Sequence, residues 1–177
     1  MKSWLAAAVI VASAVGCSAD ASKEGAARGA DHAETIPFAS GDPAPDIEVV
    51  SLKGERVRLS SLRGKVVLLD FWASWCAPCI EGLPITDKLY KEFKGKGLVV
   101  LPISDEDAKT VAAFVKKQGY SFTPYLDPNR TANAAYKIEG IPTTVVIDPK
   151  GKISSYTIGL DTEENMRAAL ALAGMGR

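Results

Sequence analysis

The apolar residues of this chain follow two spacings, one typical of buried strands and one typical of amphipathic helices. Continuous apolar runs in "KVVLLDFWA" and "GLVVLPIS" indicate strands that are buried on both faces. Helical spacing predicts a helix over about 77–93 and another in "DEDAKTVAAFVKKQG", which begins with acids and ends at Gly119. The central part of the chain therefore alternates strand and helix.

Shorter segments complete this pattern on either side. The segments "DIEVVSL" and "ERVRLS" predict an N-terminal β-hairpin around Lys53-Gly54. Further along, "RTANAAYKI" predicts a short helix, "TTVVIDPKGKISSYTIG" two strands joined by a turn, and "TEENMRAALALAG" a closing helix capped by Thr162 or Asp161. Together these elements predict an α/β fold with a central mixed β-sheet flanked by helices.

The first 40 residues have a different composition. Residues 1–17 carry Lys2 and then an uncharged apolar stretch that is shorter than the roughly 20 residues of a transmembrane helix, which predicts a secretory signal peptide. Residues 18–40 are rich in Ala, Gly and Ser with mixed charge, which predicts a flexible tether. We therefore expect the folded domain to span residues 41–177.

The end of the predicted signal, "AVGC", resembles the lipobox of bacterial lipoproteins. In that class of protein the cysteine becomes the lipidated first residue, so the resemblance implies a lipid anchor on Cys17 and a place outside the cytoplasm. Two alternatives are an ordinary cleaved signal with a chance cysteine and an uncleaved anchor. Lipid chains contribute about 0.8 kcal/mol per buried CH₂, so two or more hold a protein stably on a membrane.

Composition narrows the possible chemistry of the 177-residue chain. Lys+Arg and Asp+Glu are both 21, and this zero net charge gives no indication of a nucleic-acid partner. The three cysteines are too few for a disulfide scaffold. Since the single histidine, His32, lies in the predicted tether, a histidine-rich metal site or a Ser-His-Asp triad is hard to build.

Two of the three cysteines, Cys76 and Cys79, are placed where a buried strand ends and a helix begins. Unpaired backbone N–H groups at a helix N-terminus favour a thiolate and lower the pKa of a cysteine there. Pro78 falls in the first turn, where its missing N–H costs nothing. This arrangement predicts a reversible disulfide in which Cys76, the more exposed thiol, attacks and Cys79 resolves.

A CxxC pair has two other uses. It forms half of a zinc site in some proteins, but two further ligands are missing here. It also occurs as a structural disulfide, although a bridge across so few residues closes too small a loop to give much stability. A strand-to-helix CxxC is more typical of a thioredoxin-like redox motif.

The residues around Cys76 and Cys79 resemble those of a particular family. "DFWASWCAPC" resembles the active-site stretch of thioredoxin-fold proteins, and residues 41–79 resemble the TlpA/ResA-like, redoxin-related branch of membrane-anchored thiol-disulfide oxidoreductases. The segment "GIPTTVVIDPKGKI" matches a second signature of that family. The resemblance implies a thioredoxin-like fold with an extra N-terminal β-hairpin.

The resemblance also assigns expected roles to residues around the cysteine pair. Pro142 corresponds to the cis-proline that faces the disulfide, and the backbone of Ile141 to the segment that pairs with an extended client. Asp70 corresponds to a buried acid that exchanges a proton with Cys79 through water, although an acid paired at a strand end is the alternative. The expected client-binding residues are Trp75, Ala77, Pro78, Ile141 and Pro142.

One family position differs here. Some members carry a glutamate three residues after the second cysteine, where this chain has Gly82, with Glu81 one position earlier. One residue of displacement turns a helical side chain by about 100°, because a helix has 3.6 residues per turn. We therefore expect Glu81 to take no part in catalysis.

The predicted function is an extracytoplasmic, membrane-anchored thiol-disulfide oxidoreductase, more typically a reductant that draws electrons from a membrane thiol donor. We expect clients with cysteine pairs, of which apocytochrome c during cytochrome c maturation is one candidate, a monomeric state and no cofactor, metal or nucleic acid. One alternative is a peroxiredoxin-like peroxidase, but this chain has Ala73 where that group carries threonine or serine, and Leu69 where it carries proline. The other is a copper-delivery module on the same fold, which needs a histidine on the domain.

Overall fold

A computed structural model describes residues 36–176. The predicted signal peptide, Cys17, His32 and most of the predicted tether lie outside the described residues. Within them are strands β1 (Glu48–Ser51), β2 (Arg56–Arg58), β3 (Val66–Phe71), β4 (Leu98–Ser104), β5 (Tyr125–Leu126), β6 (Thr143–Ile147) and β7 (Ile153–Ile158), and helices α1 (Ala77–Phe93), α2 (Ala108–Gln118), α3 (Thr131–Ala135) and α4 (Glu163–Leu172).

The strands form one mixed sheet in the order β2-β1-β5-β4-β3-β6-β7. Strands β3, β4 and β5 are parallel, whereas β6, β7 and the β1–β2 hairpin run antiparallel to their neighbours. The predicted mixed sheet and N-terminal hairpin are therefore confirmed. The hairpin joins the sheet through β5, a two-residue strand too short to produce an apolar pattern.

Strand β3 shows why an unbroken apolar run indicates a central strand. Val67, Leu69 and Phe71 belong to the apolar cluster on one face of the sheet, and Val66 and Leu68 belong to the cluster on the other face. Side chains alternate along a strand, so both sets must be apolar when helices cover both faces. Helices α1 and α4 cover one face, and α3 packs against the other.

The packed part of the chain begins before residue 41. The ring of Phe38 lies 6.0 Å from that of Tyr136 and 5.9 Å from that of Tyr156. The backbone N–H of Gly41 donates to the carbonyl of Ile153 at 2.8 Å. The last residues of the predicted tether thus pack against the sheet rather than extending from it.

Helix termini follow the capping chemistry in the sequence. The Thr162 side chain accepts from the N–H of Asn165 at 3.2 Å, so of the two predicted caps of α4 it is Thr162 that fills the position. Asp107 caps α2 in the same way, through the N–H groups of Lys109 and Thr110. Helix α1 continues through Pro84.

No helix within residues 36–176 has both the length and the apolar character needed to cross a bilayer.

Candidate active site

The cysteine pair lies at the junction of β3 and α1, as predicted. Cys76 and Cys79 form a disulfide with an S–S distance of 2.07 Å, and Cys76 is the N-cap residue of α1. An apolar cluster that includes Trp72, Leu83 and Phe122 surrounds both sulfurs. The strand and the helix therefore hold the bridge against a packed apolar interior.

The two sulfurs differ in their contacts with the N-terminus of α1. The N–H of Cys79 donates to Sγ of Cys76 at 3.2 Å, so a backbone donor and the positive end of the helix dipole both face this sulfur. Cys76 is only 4% exposed and Cys79 2%. Cys76 is thus only slightly more exposed than Cys79 in the disulfide form. The two sulfurs differ chiefly because Cys76, and not Cys79, is the N-cap residue of α1.

The segment before β6 approaches the disulfide from the opposite side. The Ile141–Pro142 peptide bond is cis, as expected from the resemblance. The carbonyl oxygen of Ile141 lies 3.7 Å from Sγ of Cys76. The structure therefore brings together residues that are 65 positions apart in the sequence.

Asp70 lies in β3 beneath the disulfide and is 4% exposed. The hydroxyl of Thr86, on α1, donates to Oδ2 of Asp70 at 2.7 Å. Burial raises the pKa of Asp70 to about 6, because desolvation penalises the carboxylate more than the Thr86 hydrogen bond stabilises it. Asp70 is therefore a buried acid that titrates near neutral pH.

A small cavity of about 10 Å³ lies between this acid and Cys79. Asp70, Cys79, Thr86 and Pro142 all line it. A volume of roughly 10–15 Å³ is about what one water molecule requires. The geometry therefore allows a proton to pass between the Cys79 thiol and the Asp70 carboxylate through a single water.

Gly82 and Leu160 close the outer side of this cavity. A Cβ atom added at Gly82 would lie 3.1 Å from Cδ1 of Leu160, so the leucine occupies the space beside the glycine. Glu81 is exposed and does not line the cavity. Of the two carboxyl groups that line the cavity, Asp70 is buried and Asp161 is half-buried.

Glu106 fixes the loop that precedes Cys76. Its carboxylate accepts from both the N–H and the hydroxyl of Ser74, each at 2.6 Å, and from the hydroxyl of Ser104 at 3.2 Å. Sequence reasoning did not single out Glu106, Ser74 or Thr86. The proximity of Ser74 and Glu106 was predictable in part. They follow neighbouring parallel strands, and the carboxyl ends of such strands meet at one edge of the sheet.

A groove of about 340 Å³ runs beside the disulfide. Trp75, which is 71% exposed, and Ile141 form its end nearest Cys76. Ala77 and Pro78 are also exposed, on the first turn of α1. Of the residues expected to meet clients, these four lie at the surface around the cysteines, while Pro142 lies inward against the small cavity.

Two further observations concern the residues that a peroxidase or a metal-binding protein would need. Leu69 and Ala73, at the positions where peroxiredoxins carry their proline and hydroxyl, are fully buried apolar residues. Within residues 36–176, no group of three or more His, Cys, Asp or Glu side chains is arranged to hold a metal ion.

Comparisons with known proteins agree with this chemistry. Residues 40–156 match the AhpC/TSA family. The thiol-disulfide oxidoreductase ResA of Bacillus subtilis is 36% identical over 127 residues, which cover 71% of each chain. A crystal structure described as a thiol:disulfide interchange protein DsbE from Chlorobium tepidum superposes with a TM-score of 0.71 at 32% identity, covering 77% of this chain and 99% of that one.

The exposed lipoprotein thioredoxin Etrx1 of Streptococcus pneumoniae is also similar, with a TM-score of 0.62, 31% identity, and coverage of 71% of this chain and 98% of that one. The fold is thus thioredoxin-like, as the mixed sheet and the strand-to-helix cysteine pair indicated. The chain belongs to the AhpC/TSA family and is a thiol-disulfide oxidoreductase of the ResA type.

Proposed function

We propose that the protein reduces disulfides in client proteins, with Cys76 as the attacking thiol and Cys79 as the resolving thiol. The observation that carries this proposal is the N–H of Cys79, which donates to Sγ of Cys76 at the N-terminus of α1. In the reduced protein the same donor stabilises a thiolate on Cys76 and not on Cys79.

In the first step the Cys76 thiolate attacks one sulfur of the client disulfide. A sulfur–sulfur bond forms between Cys76 and the client, the client disulfide breaks, and the second client sulfur leaves as a thiolate that takes a proton from solvent. Trp75, Ala77 and Pro78 supply the surface around the attacked sulfur. The backbone of Ile141 pairs with the extended client segment, in the manner of an added strand.

In the second step Cys79 resolves this mixed disulfide. Its thiol gives a proton to the Asp70 carboxylate through the water-sized cavity, and the resulting thiolate attacks Sγ of Cys76. The Cys76–Cys79 bond forms, the bond between Cys76 and the client breaks, and the client sulfur leaves as a thiolate that takes a proton from solvent. An acid whose pKa is about 6 accepts this proton at neutral pH and returns it to solvent afterwards.

The reductive direction needs electrons from outside the protein, and a membrane thiol donor is the proposed source. The reduction potential of the Cys76–Cys79 pair tests this direction, measured by equilibration of the full chain with glutathione or dithiothreitol buffers. A value near about −270 mV, like that of thioredoxin, supports a reductant. A value near about −120 mV, like that of DsbA, would assign the opposite role.

We also propose that residues 1–17 are a lipoprotein signal, that Cys17 carries the lipid anchor, and that the part of residues 18–40 before the packed Phe38 tethers the domain of residues 41–177 to the outer side of a bacterial membrane. The lipobox resemblance and the similar exposed lipoprotein thioredoxin support this proposal. Mass spectrometry of protein purified from its native membrane should find a diacylglyceryl group on Cys17. A mature N-terminus elsewhere, with a free Cys17 thiol, would contradict the anchor.

A further inference from the structure

We propose that the end of the domain opposite the disulfide docks on an anionic bilayer surface, so that the cysteine pair faces the aqueous compartment. The docking surface consists of exposed basic side chains that form no ion pair with any residue in 36–176. We call these residues the basic pole: Arg63, Lys65, Lys94, Lys96, Lys150 and Lys152. The inference rests on the proposed lipid anchor, which brings the domain to a membrane but does not decide which face meets it.

The topology of the sheet gathers the basic pole at one edge. The parallel strands β3 and β4 both begin there, shortly after Lys65 and Lys96. The turn between β6 and β7 carries the last two lysines of the pole, and it lies at the same edge because β6 runs antiparallel to β3 and ends beside its start. A backbone hydrogen bond joins these loops, since the N–H of Gly64 donates to the carbonyl of Pro149 at 2.9 Å.

The basic pole lies far from the reactive sulfurs. Helix α1 begins at the disulfide and ends beside Lys94, and its 17 residues span about 25 Å at 1.5 Å per residue. Three acidic side chains that form no ion pair with residues 36–176 lie at the disulfide end instead: Glu106, Glu139 and Asp161. Although the net charge of the whole chain is zero, the described domain therefore separates unpaired charges of opposite sign.

The acidic side chains near the basic pole do little to neutralise it. The carboxylate of Asp148 accepts from the backbone N–H groups of Lys150 and Lys152 at 2.9 and 2.8 Å, so it is held within its own turn. On α1, Glu92 forms an ion pair with Arg167 at 2.6 Å. The basic pole therefore keeps a net positive charge.

Helix capping explains only part of this cluster. Cations at the C-terminus of a helix interact favourably with its dipole, and Lys94 and Lys96 at the end of α1 have that role. Lys65, Lys150 and Lys152 lie next to the ends of strands, where there is no such dipole. Because like charges repel, a cluster that the fold does not require indicates an anionic partner.

A cavity of about 330 Å³ opens within the basic pole. It forms because β5 pairs only with the last two residues of β4 and leaves the earlier part of that edge open. Lys65, Lys94, Tyr90 and Tyr125 line it. Burial, and then the charge of Glu55, raise the pKa of Tyr125, so its hydroxyl stays protonated and can donate. Two ammonium groups and two hydroxyl donors suit the phosphate of one lipid headgroup.

The partner that fits this surface is a bilayer containing an anionic phospholipid such as phosphatidylglycerol. Each basic side chain close to an anionic bilayer raises binding about fivefold, so a cluster of them favours one orientation of an anchored domain strongly. In that orientation the length of α1 separates the disulfide from the bilayer. The cysteine pair then meets clients in the aqueous compartment.

The test is lysine footprinting of the full chain, purified from its native membrane and mixed with an excess of vesicles. Vesicles of phosphatidylcholine alone are compared with vesicles of phosphatidylcholine and phosphatidylglycerol. Sulfosuccinimidyl acetate labels exposed amines, and peptide mass spectrometry gives the labelling rate of each lysine. With phosphatidylglycerol, we expect labelling of Lys65, Lys94 and Lys96 to slow by about fivefold or more, and that of Lys109 and Lys137 to stay unchanged.

Matched variants assign that protection to the basic pole. The double variant Lys65→Gln and Lys94→Gln should lose most of the protection of Lys96. The double variant Lys109→Gln and Lys137→Gln loses the same charge from exposed positions outside the pole and should keep the protection. High salt should abolish it in the unchanged protein, because salt screens the attraction between exposed charges.

Equal labelling of every lysine in both kinds of vesicle would overturn the docking surface, and so would protection that the Lys65→Gln and Lys94→Gln variant retains. Equal protection by glycerol 1-phosphate without vesicles would indicate a site for a soluble anion and would contradict docking on a bilayer. Flotation with phosphatidylcholine vesicles tests the anchor separately. A chain that floats with them but shows no protection with phosphatidylglycerol contradicts only the docking surface. A chain that does not float contradicts the anchor, and protection in the mixed vesicles still decides the docking.

Discussion

At the scale of single residues, the buried carboxylate of Asp70 lowers the stability of the folded protein. A carboxyl group in the middle of an apolar strand is desolvated, and one hydrogen bond from Thr86 does not compensate for the lost hydration. The folded state therefore binds a proton more tightly than the unfolded chain, in which the pKa of this aspartate is near 3.8. The cost of the charge is present above pH 6 and absent below pH 4.

Asp70→Asn should therefore stabilise the protein at neutral pH. The difference between a pKa of about 6 and one of 3.8 corresponds to about 3 kcal/mol at most, since each unit is worth about 1.36 kcal/mol. Urea unfolding of the oxidised protein should show this gain at pH 7.5, a smaller gain at pH 5.5 and almost none at pH 3. Glu164→Gln, on the exposed face of α4, is the control and should show no such trend.

The same substitution should slow catalysis. Without the Asp70 carboxylate, Cys79 loses its buried proton acceptor, and its thiol must lose the proton to solvent or to the half-buried Asp161, which also lines the cavity. Insulin reduction by Asp70→Asn should be several-fold slower than wild type at pH 6–7, with the gap closing toward pH 9 as the thiol, of ordinary pKa about 8.5, ionises on its own. Identical rates from pH 6 to pH 9 would leave Asp70 a structural residue.

Glu106 is a positioning residue in the same site. Glu106→Ala removes both acceptors of Ser74, so the loop before Cys76 loses its anchor, and we expect thiol exchange to slow by about tenfold. Glu106→Gln keeps one oxygen acceptor and should recover most of the rate. The pH dependence of Cys76 alkylation by iodoacetamide should shift in the alanine variant and not in the glutamine variant. Equal behaviour of the two variants would contradict this role.

At the scale of elements, the long helices and strands, the short helix α3 and the N-terminal hairpin were predictable, whereas the two-residue strand β5 was not. Helix α1 was expected over about 77–93 and spans Ala77–Phe93, because its apolar spacing, Pro78 and the basic, glycine-containing end all agree. Strand β5 has two residues, and its pairing with β1 and β4 depends on distant contacts. Local pattern cannot encode a strand that tertiary pairing alone defines.

The short helix α3 depends on one buried aspartate. Asp127 accepts from the N–H and hydroxyl of Thr131 and from the N–H and side-chain amide of Asn133, at 2.8–2.9 Å. These hydrogen bonds hold the pKa of Asp127 below its usual value despite burial. Asp127→Ala leaves the buried Asn133 amide unpaired and should lower the free energy of unfolding by about 2–3 kcal/mol in chemical denaturation.

The low pKa of Asp127 also sets the sign of its pH dependence. Its stabilising effect is present above the unfolded pKa of about 3.8 and is lost as pH falls through the lower, folded value. The deficit of Asp127→Ala should therefore be full at pH 7 and shrink only in strong acid. A deficit that is constant down to pH 2 would show that packing, and not these hydrogen bonds, accounts for it.

At the scale of the whole molecule, the site is assembled from three separate parts of the chain. The sequence motif placed Cys76 and Cys79 together at a helix start, and the family resemblance added Asp70, Ile141 and Pro142. The Thr86 hydroxyl and the groove beside Trp75 required the structure, because they depend on how helices pack on the sheet. Glu106 follows a predicted strand, but its hydrogen bonds to Ser74 became evident only in the structure.

The central claim is that Cys76 attacks clients and Cys79 resolves the mixed disulfide, and trapping tests it most directly. Reduced full-length Cys79→Ser and Cys76→Ser are each incubated with insulin, and adducts are mapped by peptide mass spectrometry under non-reducing conditions. Cys79→Ser should accumulate an insulin adduct on Cys76 that dithiothreitol removes, and Cys76→Ser should accumulate little on Cys79. Stable adducts on Cys79 and few on Cys76 would contradict the assignment of the two thiols.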